Sequence, residues 1–362
     1  MSANGDETLR FAEQVIVLLD QGRQTATYKF AVLLGLMDLC LELTDRFGDP
    51  PSHIMTGQLA EKVIALYWPH AQPMDVTSGI VLQQNTGKRA RVLQLIDDFR
   101  SSASAGRSVT LHAAKLADRD GWETLRAEVE WTLVKMPLPK LQRASGTEDR
   151  FIYHIGWDDD VSKSAWRSGA IDSRIHLEPG VARSFVRLAG LLRPLIQERW
   201  VAMVGRLNDL EVTRVHGFLF GVDRVSLGAV REPLRELQNK RCFYCDGALQ
   251  TSVEVDHFLP WARHADNGIE NLVAAHGRCN GSKKDFLAAA VHVERWARRV
   301  VDAESDLARI AKDARWPSDR NRTLGAVRGI YLPLPDGVSL WRGHQDFEAS
   351  DRSALRAALR VA

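Results

Sequence analysis

The sequence predicts a mainly α-helical protein that carries a small α+β unit near its C-terminal third. Apolar residues recur with helical spacing over most of the 362 residues. Three of the four cysteines instead fall in residues 242–284, together with an Asp-His pair and two asparagines. That window contains two short β-like runs followed by the start of a helix. We therefore expect helical segments arranged around one compact unit of different architecture.

Composition and charge limit the functions that this protein can have. The net charge is only +2, so a nucleic-acid-binding surface must be local and not a property of the whole chain. The longest apolar run, residues 30–41, is too short to cross a bilayer and contains Asp38. The N-terminus lacks a secretory pattern, and a tight cysteine pair favours a metal in a reducing compartment over a disulfide framework. We expect a cytoplasmic protein without a membrane segment.

Helical patterns fill the chain ahead of the cysteine window. Residues 6–47 predict two helices, and the second is apolar nearly all round, which is typical of a buried helix. A long helix is predicted from Glu178 to Asn208, and we expect Pro194 to kink or break it. Further helices are predicted over residues 58–70, 79–100, 122–137 and 286–316, with short strands at 151–155 and in the tail, 323–343.

These patterns predict four parts. They are an N-terminal helical domain (1–136), a helical middle region with a short strand and loop (137–235), a small unit held together by a bound metal (236–295) and a closing helical segment (296–362). The third part holds the candidate catalytic and metal-binding residues. The other parts are therefore expected to deliver this unit to its target or to regulate it.

Four side chains in the cysteine window have the spacing of a zinc site. Cys242 and Cys245 form a C-x-x-C pair, and His276 and Cys279 repeat the two-residue gap 34 positions after the first pair begins. Structural zinc takes four nitrogen or sulfur ligands in a closed tetrahedron. Two such pairs can hold together a small unit that lacks a core of its own. The alternative is that the cysteines stay free and His276 only packs.

Between the two pairs, the order is strand, loop, strand and helix. Residues 252–261 alternate and predict a strand that ends at Pro260, residues 272–276 predict a returning strand, and residues 279–290 open a helix. Asp256 and His257 are adjacent, so on a strand their side chains point to opposite faces. If both serve one site, the strand must twist or end there.

This pattern resembles the HNH endonuclease family, whose fold is a β-hairpin followed by a helix around one metal, the ββα-metal fold. The resemblance covers about 45 residues and rests on C-x-x-C, DHFLPW, NLV and HGRCNGSK in that order. It implies that His257 is the general base, that Asp256 and Asn280 hold a divalent metal, and that Asn271 steadies the loop and the histidine. Cys242, Cys245, His276 and Cys279 would hold a separate structural zinc.

Two positions depart from the commonest family pattern. Asn280 stands where the motif often ends in histidine, as it does in some other members. His276 stands where a cysteine ligand is commoner.

The residue types suit hydrolysis of a phosphodiester. A hard ion such as Mg²⁺ (or Mn²⁺ or Ni²⁺) prefers carboxylate and amide oxygens and stabilises a leaving alkoxide. A neutral imidazole can take a proton from the attacking water near neutral pH. The candidates for contacts with flanking phosphates of a DNA substrate are Arg263, His264, Lys283 and Lys284.

Two function classes compete. One is a metal-dependent DNA endonuclease, and the alternative is a non-catalytic zinc-containing module that binds nucleic acid. Asp256, His257 and Asn280 together favour the enzyme, since binding alone needs none of them. The long helical arms motivate a further hypothesis, an effector gated by a signal or a regulatory partner protein, as in restriction or phage defence. Because one HNH unit cuts one strand, double-strand cleavage would need either two units, as in a homodimer, or two successive visits by one unit.

Overall fold

The computed structural model describes residues 3–20, 26–74, 79, 81–87, 89–104, 110–144, 147–148, 150–221, 226–250 and 252–360. The chain is 58% helical with small sheets, which confirms the predicted fold class. Contacts divide it into two compact units. The helical unit comprises residues 1–40 and 51–223, and the hairpin unit comprises residues 41–50 and 224–362. The four-part division drawn from the sequence stays a prediction.

The helical unit packs its helices around buried aromatic residues and one small sheet. Trp200 is fully buried and contacts Tyr67, with the two ring centroids 5.1 Å apart. Its elements are α1 (Ala3–Asp20), α2 (Tyr28–Glu42), β1 (His53–Met55), α3 (Thr56–Tyr67), α4 (Arg91–Ser104), α5 (Leu111–Ala117), α6 (Arg119–Lys135), β2 (Arg143–Ala144), β3 (Thr147–Glu148), β4 (Tyr153–Ile155), α7 (Lys163–Arg167), β5 (Arg174–Leu177), α8 (Val181–Asn208) and α9 (Val212–Phe220). Strands β1, β5 and β4 form an antiparallel sheet in that order.

Helix α8 contradicts the predicted break at Pro194, while the alternative, a kink at that residue, stays a prediction. It runs without a break from Val181 to Asn208, although Pro194 lies inside it. Proline removes one backbone hydrogen bond and crowds the preceding turn. Phe185 and Trp200, on either side of the proline, are both fully buried in the core. We infer that this burial offsets the missing bond, so the helix continues.

The hairpin unit is built on the strand pair that the sequence predicts. Its elements are α10 (Gly228–Leu237), β6 (Val253–His257), β7 (Leu272–His276), α11 (Gly277–Lys283), α12 (Ala290–Asp302), α13 (Glu304–Ala314), α14 (Arg320–Tyr331), β8 (Ser339–Gly343), β9 (Asp346–Ala349) and α15 (Arg352–Leu359). Strands β6 and β7 are antiparallel, with Val253 opposite His276 and His257 opposite Leu272. Trp296, Trp341 and Tyr331 are fully buried in its core.

Two helix lengths in this unit differ from the sequence prediction. Helix α11 ends at Lys283, and Lys284 follows it with a left-handed φ of 46°. The single helix expected over residues 286–316 is two helices, α12 and α13, which meet at Ala303. None of the described helices is both long and apolar enough to cross a bilayer.

Residues 41–50 pack closely against α14 within the hairpin unit. A Cβ added at Gly325 would lie 1.9 Å from the backbone oxygen of Glu42. A Cβ at Gly329 would lie 3.0 Å from the backbone oxygen of Leu41. Such close approach of two backbones requires glycine at both positions of α14. The two glycines therefore allow residues 41–50 to pack directly on this helix.

We therefore predict that Gly325→Ala lowers the free energy of unfolding by about 3 kcal/mol, because the added methyl group meets a backbone atom that no rotamer change can move. Urea unfolding monitored by circular dichroism measures this. The matched control is Gly217→Ala in α9, where no described atom lies within 4 Å of the added Cβ. Equal stability of the two variants would show that residues 41–50 do not pack on α14.

Candidate functional site

The predicted zinc ligands converge in the folded chain. One ligand atom from each of Cys242, Cys245, His276 and Cys279 lies within 4.8 Å of the others. Cys245 Sγ is 3.3 Å from His276 Nδ1. In the described ranges this is the one group of three or more His, Cys, Asp or Glu side chains arranged to hold a metal. Three thiols and an imidazole are a donor set that suits tetrahedral zinc.

The thiols of this cluster perturb one another. Burial raises the pKa of Cys245, but hydrogen bonds from the Gly247 backbone and from the neighbouring ligands outweigh burial and lower it to about 7. Burial, reinforced by Cys242 and Cys245, raises the pKa of Cys279 to about 12. Neighbouring thiolates repel each other, and a bound cation would relieve that repulsion. The cluster therefore fits a zinc ion.

The hairpin separates the zinc cluster from the proposed catalytic residues. His276 pairs with Val253 at one end of the two strands, and Leu272 pairs with His257 at the other. Four residue steps along a strand span about 13 Å. The four zinc-capable side chains therefore lie near one end of the hairpin, and the Asp-His pair lies at the end of β6 farther from His276.

His257 is oriented by a residue that the motif did not indicate. Its Nε2 lies 2.8 Å from Asn267 Oδ1. An amide oxygen only accepts, so in the neutral imidazole this contact places the hydrogen on Nε2 and leaves the lone pair on Nδ1. The ring of Trp261 packs edge-on against the imidazole, at 5.4 Å between centroids. The imidazole is thus fixed in one tautomer and one direction.

Asp256 is nearly buried, and two donors hold it. The Tyr244 hydroxyl donates to Asp256 Oδ2 at 2.5 Å, and Lys283 Nζ lies 3.0 Å from the same oxygen. Lys283 Nζ also donates to the carbonyl oxygen of His257 at 2.8 Å. Both contacts to the carboxylate use Oδ2, so Oδ1 is the oxygen that Asp256 can offer to a cation.

Burial changes the acidity of both donors. Burial, reinforced by the charge of Asp256, raises the pKa of Tyr244 well above its usual value, so the phenol keeps its proton and donates it. Burial lowers the pKa of Lys283, and the nearby carboxylate of Asp256 opposes that shift. The pair thus supplies one phenol donor and one amine donor to a single carboxylate.

Asn280 lies on α11 above the same strand face as Asp256. Its Nδ2 donates to Glu254 Oε2 at 2.8 Å. Glu254 and Asp256 are two residues apart on β6, so both side chains point to one face. Lys283, one turn further along α11, contacts Asp256 on that face. The amide oxygen is therefore the atom with which Asn280 can ligate a cation beside Asp256.

Asn271 is fully buried and ties the loop to the end of β6. Its Oδ1 accepts from the Leu259 backbone at 2.8 Å, and its Nδ2 donates to the carbonyl oxygens of Leu259 and Asp266. These bonds hold together the two ends of the loop that carries Asn267. The geometry is consistent with the steadying role that the resemblance implies.

The four predicted phosphate contacts separate into two classes. Arg263 and Lys284 are exposed. His264 is 1% exposed and its Nε2 lies 3.0 Å from Glu42 Oε1, so its burial removes it from any DNA-facing surface. Lys283 is fully buried on Asp256, so it is not a surface cation either. The prediction for these two side chains is corrected accordingly.

Sequence patterns missed three supporting side chains. The sequence motif assigned no role to Tyr244 or Asn267, whose partners are 12 and 10 positions away. Arg295 on α12 donates to the carbonyl oxygens of Phe243 and Tyr244 in the C-x-x-C turn. The sequence signals available were the aromatic residue between the two cysteines and the basic edge of the following helix.

Comparison with known protein families gives two matches. Residues 242–289 match the family described as HNH endonuclease, which confirms the resemblance. Residues 8–218, more than half of the chain, match the family described as domain of unknown function (DUF8808). No curated protein and no solved structure matches the chain.

We predict that Cys279→Ser abolishes zinc binding, because a hydroxyl is a poor zinc ligand and the binding free energy of a structural zinc is also folding free energy. Metal analysis should fall from one zinc per chain to near zero, and the melting temperature should drop. The matched control is Cys40→Ala, since Cys40 lies outside the cluster. Full zinc content in Cys279→Ser would rule out the four-ligand assignment.

Proposed function

The chain belongs to the DUF8808 family and carries an HNH endonuclease domain, and from this premise we propose that it is a metal-dependent endonuclease that hydrolyses DNA phosphodiester bonds. The observation that carries the proposal is the arrangement at the end of β6. His257 is held there in one tautomer, and Asp256 has one oxygen engaged by Tyr244 and Lys283. A purely binding module needs neither feature.

In the proposed reaction His257 is the general base. Since Asn267 accepts from Nε2, the lone pair on Nδ1 can take a proton from the water that attacks the phosphate. Trp261 limits rotation of the ring, and Asn271 keeps the two ends of the loop in place. These contacts hold the base in position before substrate arrives, which is the condition for efficient proton transfer.

We propose that Asp256 and Asn280 hold the catalytic cation through one carboxylate oxygen and one amide oxygen. Mg²⁺ and Mn²⁺ prefer such oxygen donors and also keep several waters. A divalent ion bound there would stabilise the charge on the leaving oxygen. Lys283 would remain on the second oxygen of Asp256, where its charge offsets that of the buried carboxylate.

We propose that Arg263 and Lys284 contact the DNA backbone near the scissile phosphate, because both are exposed cations close in sequence to the site residues.

We propose that the helical unit gates the nuclease or selects its substrate. Support for this is that the one group of three or more His, Cys, Asp or Glu side chains found in the described residues lies in the hairpin unit, which also holds Asp256, His257 and Asn280.

We predict that His257→Ala lowers the rate of plasmid nicking about 10²- to 10⁴-fold, the usual contribution of a positioned general base. The assay compares Mg²⁺ or Mn²⁺ with EDTA, and EDTA should abolish nicking by the unmodified protein. Zinc content and melting temperature should not change, since His257 is not among the zinc ligands.

The matched control is His216→Ala, an exposed histidine on α9 of the helical unit. It should cut at the rate of the unmodified protein. Nicking by His257→Ala at that same rate would refute the assignment of the base. DNA binding without any nicking by the unmodified protein would instead favour the non-catalytic zinc module.

A further inference from the structure

Asp256, the proposed metal-ligating carboxylate, accepts a hydrogen bond from Tyr244 in the turn formed by residues 242–245, which we call the zinc turn. Tyr244 lies between Cys242 and Cys245, so the turn that presents two thiols also presents this phenol. Its hydroxyl is 2.5 Å from Asp256 Oδ2. The contact joins residues 12 positions apart and bridges the zinc turn and the end of β6.

The Tyr244 ring has little freedom to move. It is 4% exposed and meets His292 and Trp341 edge-on, with centroids 5.3 and 5.0 Å away. Arg295 donates to the Tyr244 backbone oxygen at 3.0 Å, and Lys283 Nζ lies 5.8 Å from the ring centroid. A side chain enclosed in this way directs its hydroxyl to one point. That point is an oxygen of Asp256.

The consequence for Asp256 is that its two oxygens are not equivalent. Tyr244 and Lys283 both engage Oδ2. A free carboxylate rotates and can bind a cation through either oxygen or both. A carboxylate with one oxygen held by two donors presents the other in a fixed direction, which lowers the entropy lost when a cation binds.

We propose that Tyr244 is a positioning residue that sets the affinity of the catalytic cation by fixing Asp256 so that only Oδ1 faces it. The zinc turn would thereby support the second metal through one phenol. This inference rests on the proposed function, because it assumes that Asp256 is a ligand. It assigns Tyr244 no contact with substrate.

The test is Tyr244→Phe in the full-length, zinc-loaded protein, which removes only the hydroxyl and keeps the ring. Binding of Mn²⁺ is measured directly, from the electron paramagnetic resonance signal of free Mn²⁺. We expect the Mn²⁺ dissociation constant to rise about 10- to 100-fold, as for other residues that orient a metal ligand. Nicking should recover in part at high Mn²⁺ concentration, with zinc content unchanged.

The matched control is Tyr331→Phe. Tyr331 is also fully buried in this unit, but its hydroxyl accepts from the Ala288 backbone. Its loss should leave Mn²⁺ affinity unchanged. An equal loss of affinity in both variants would mean that general damage to the core is responsible, and the positioning role would be rejected.

The remaining outcomes separate this inference from the function on which it rests. If Tyr244→Phe bound Mn²⁺ as tightly as the unmodified protein, the positioning role would be wrong and the endonuclease proposal would stand. Loss of zinc from Tyr244→Phe would show that the hydroxyl supports the zinc turn, which also overturns the inference. If the unmodified protein neither bound Mn²⁺ nor nicked DNA, the proposed function itself would fail.

Discussion

The arrangement of the site depends on a buried negative charge. Asp256 is 8% exposed, and removing a carboxylate from water costs several kcal/mol unless charged or hydrogen-bonded partners replace the lost hydration. Here the partners are a phenol from the C-x-x-C turn and an ammonium from α11. One carboxylate therefore links three elements, β6, the zinc turn and α11, and the position of each constrains the others.

The zinc cluster and the asparagine-bearing loop act at opposite ends of the hairpin. The four predicted zinc ligands lie near the end of the hairpin where Val253 pairs with His276. At the other end, Asn271 and Asn267 hold the loop and the imidazole of His257. Adjacent residues thus keep defined directions for two reasons. Both strands pack on the hydrophobic core of the unit, and the predicted zinc ligands and buried amides fix the two ends of the hairpin.

The sequence predicted those parts of the site that depend on local spacing. The C-x-x-C and H-x-x-C pairs, the alternation in β6 and the Asp-His-Asn pattern all lie within one window. The hairpin and the zinc cluster could therefore be predicted from the sequence. The misassigned side chains are those whose partners are distant in sequence. His264 was a candidate phosphate contact, but it is buried with its Nε2 3.0 Å from an oxygen of Glu42, more than 200 positions earlier. Lys283 was another, but it is buried against the carboxylate of Asp256 on β6.

The central claim is that one divalent cation binds beside Asp256 and Asn280, apart from the zinc, within reach of His257. Anomalous diffraction from crystals soaked in Mn²⁺, recorded at the manganese and zinc absorption edges, tests it most directly. We predict a zinc peak among Cys242, Cys245, His276 and Cys279 and a separate manganese peak in contact with Asp256 Oδ1 and Asn280 Oδ1. Manganese bound only away from Asp256, in crystals of a protein that nicks DNA, would show that Asp256 and Asn280 do not hold the catalytic cation.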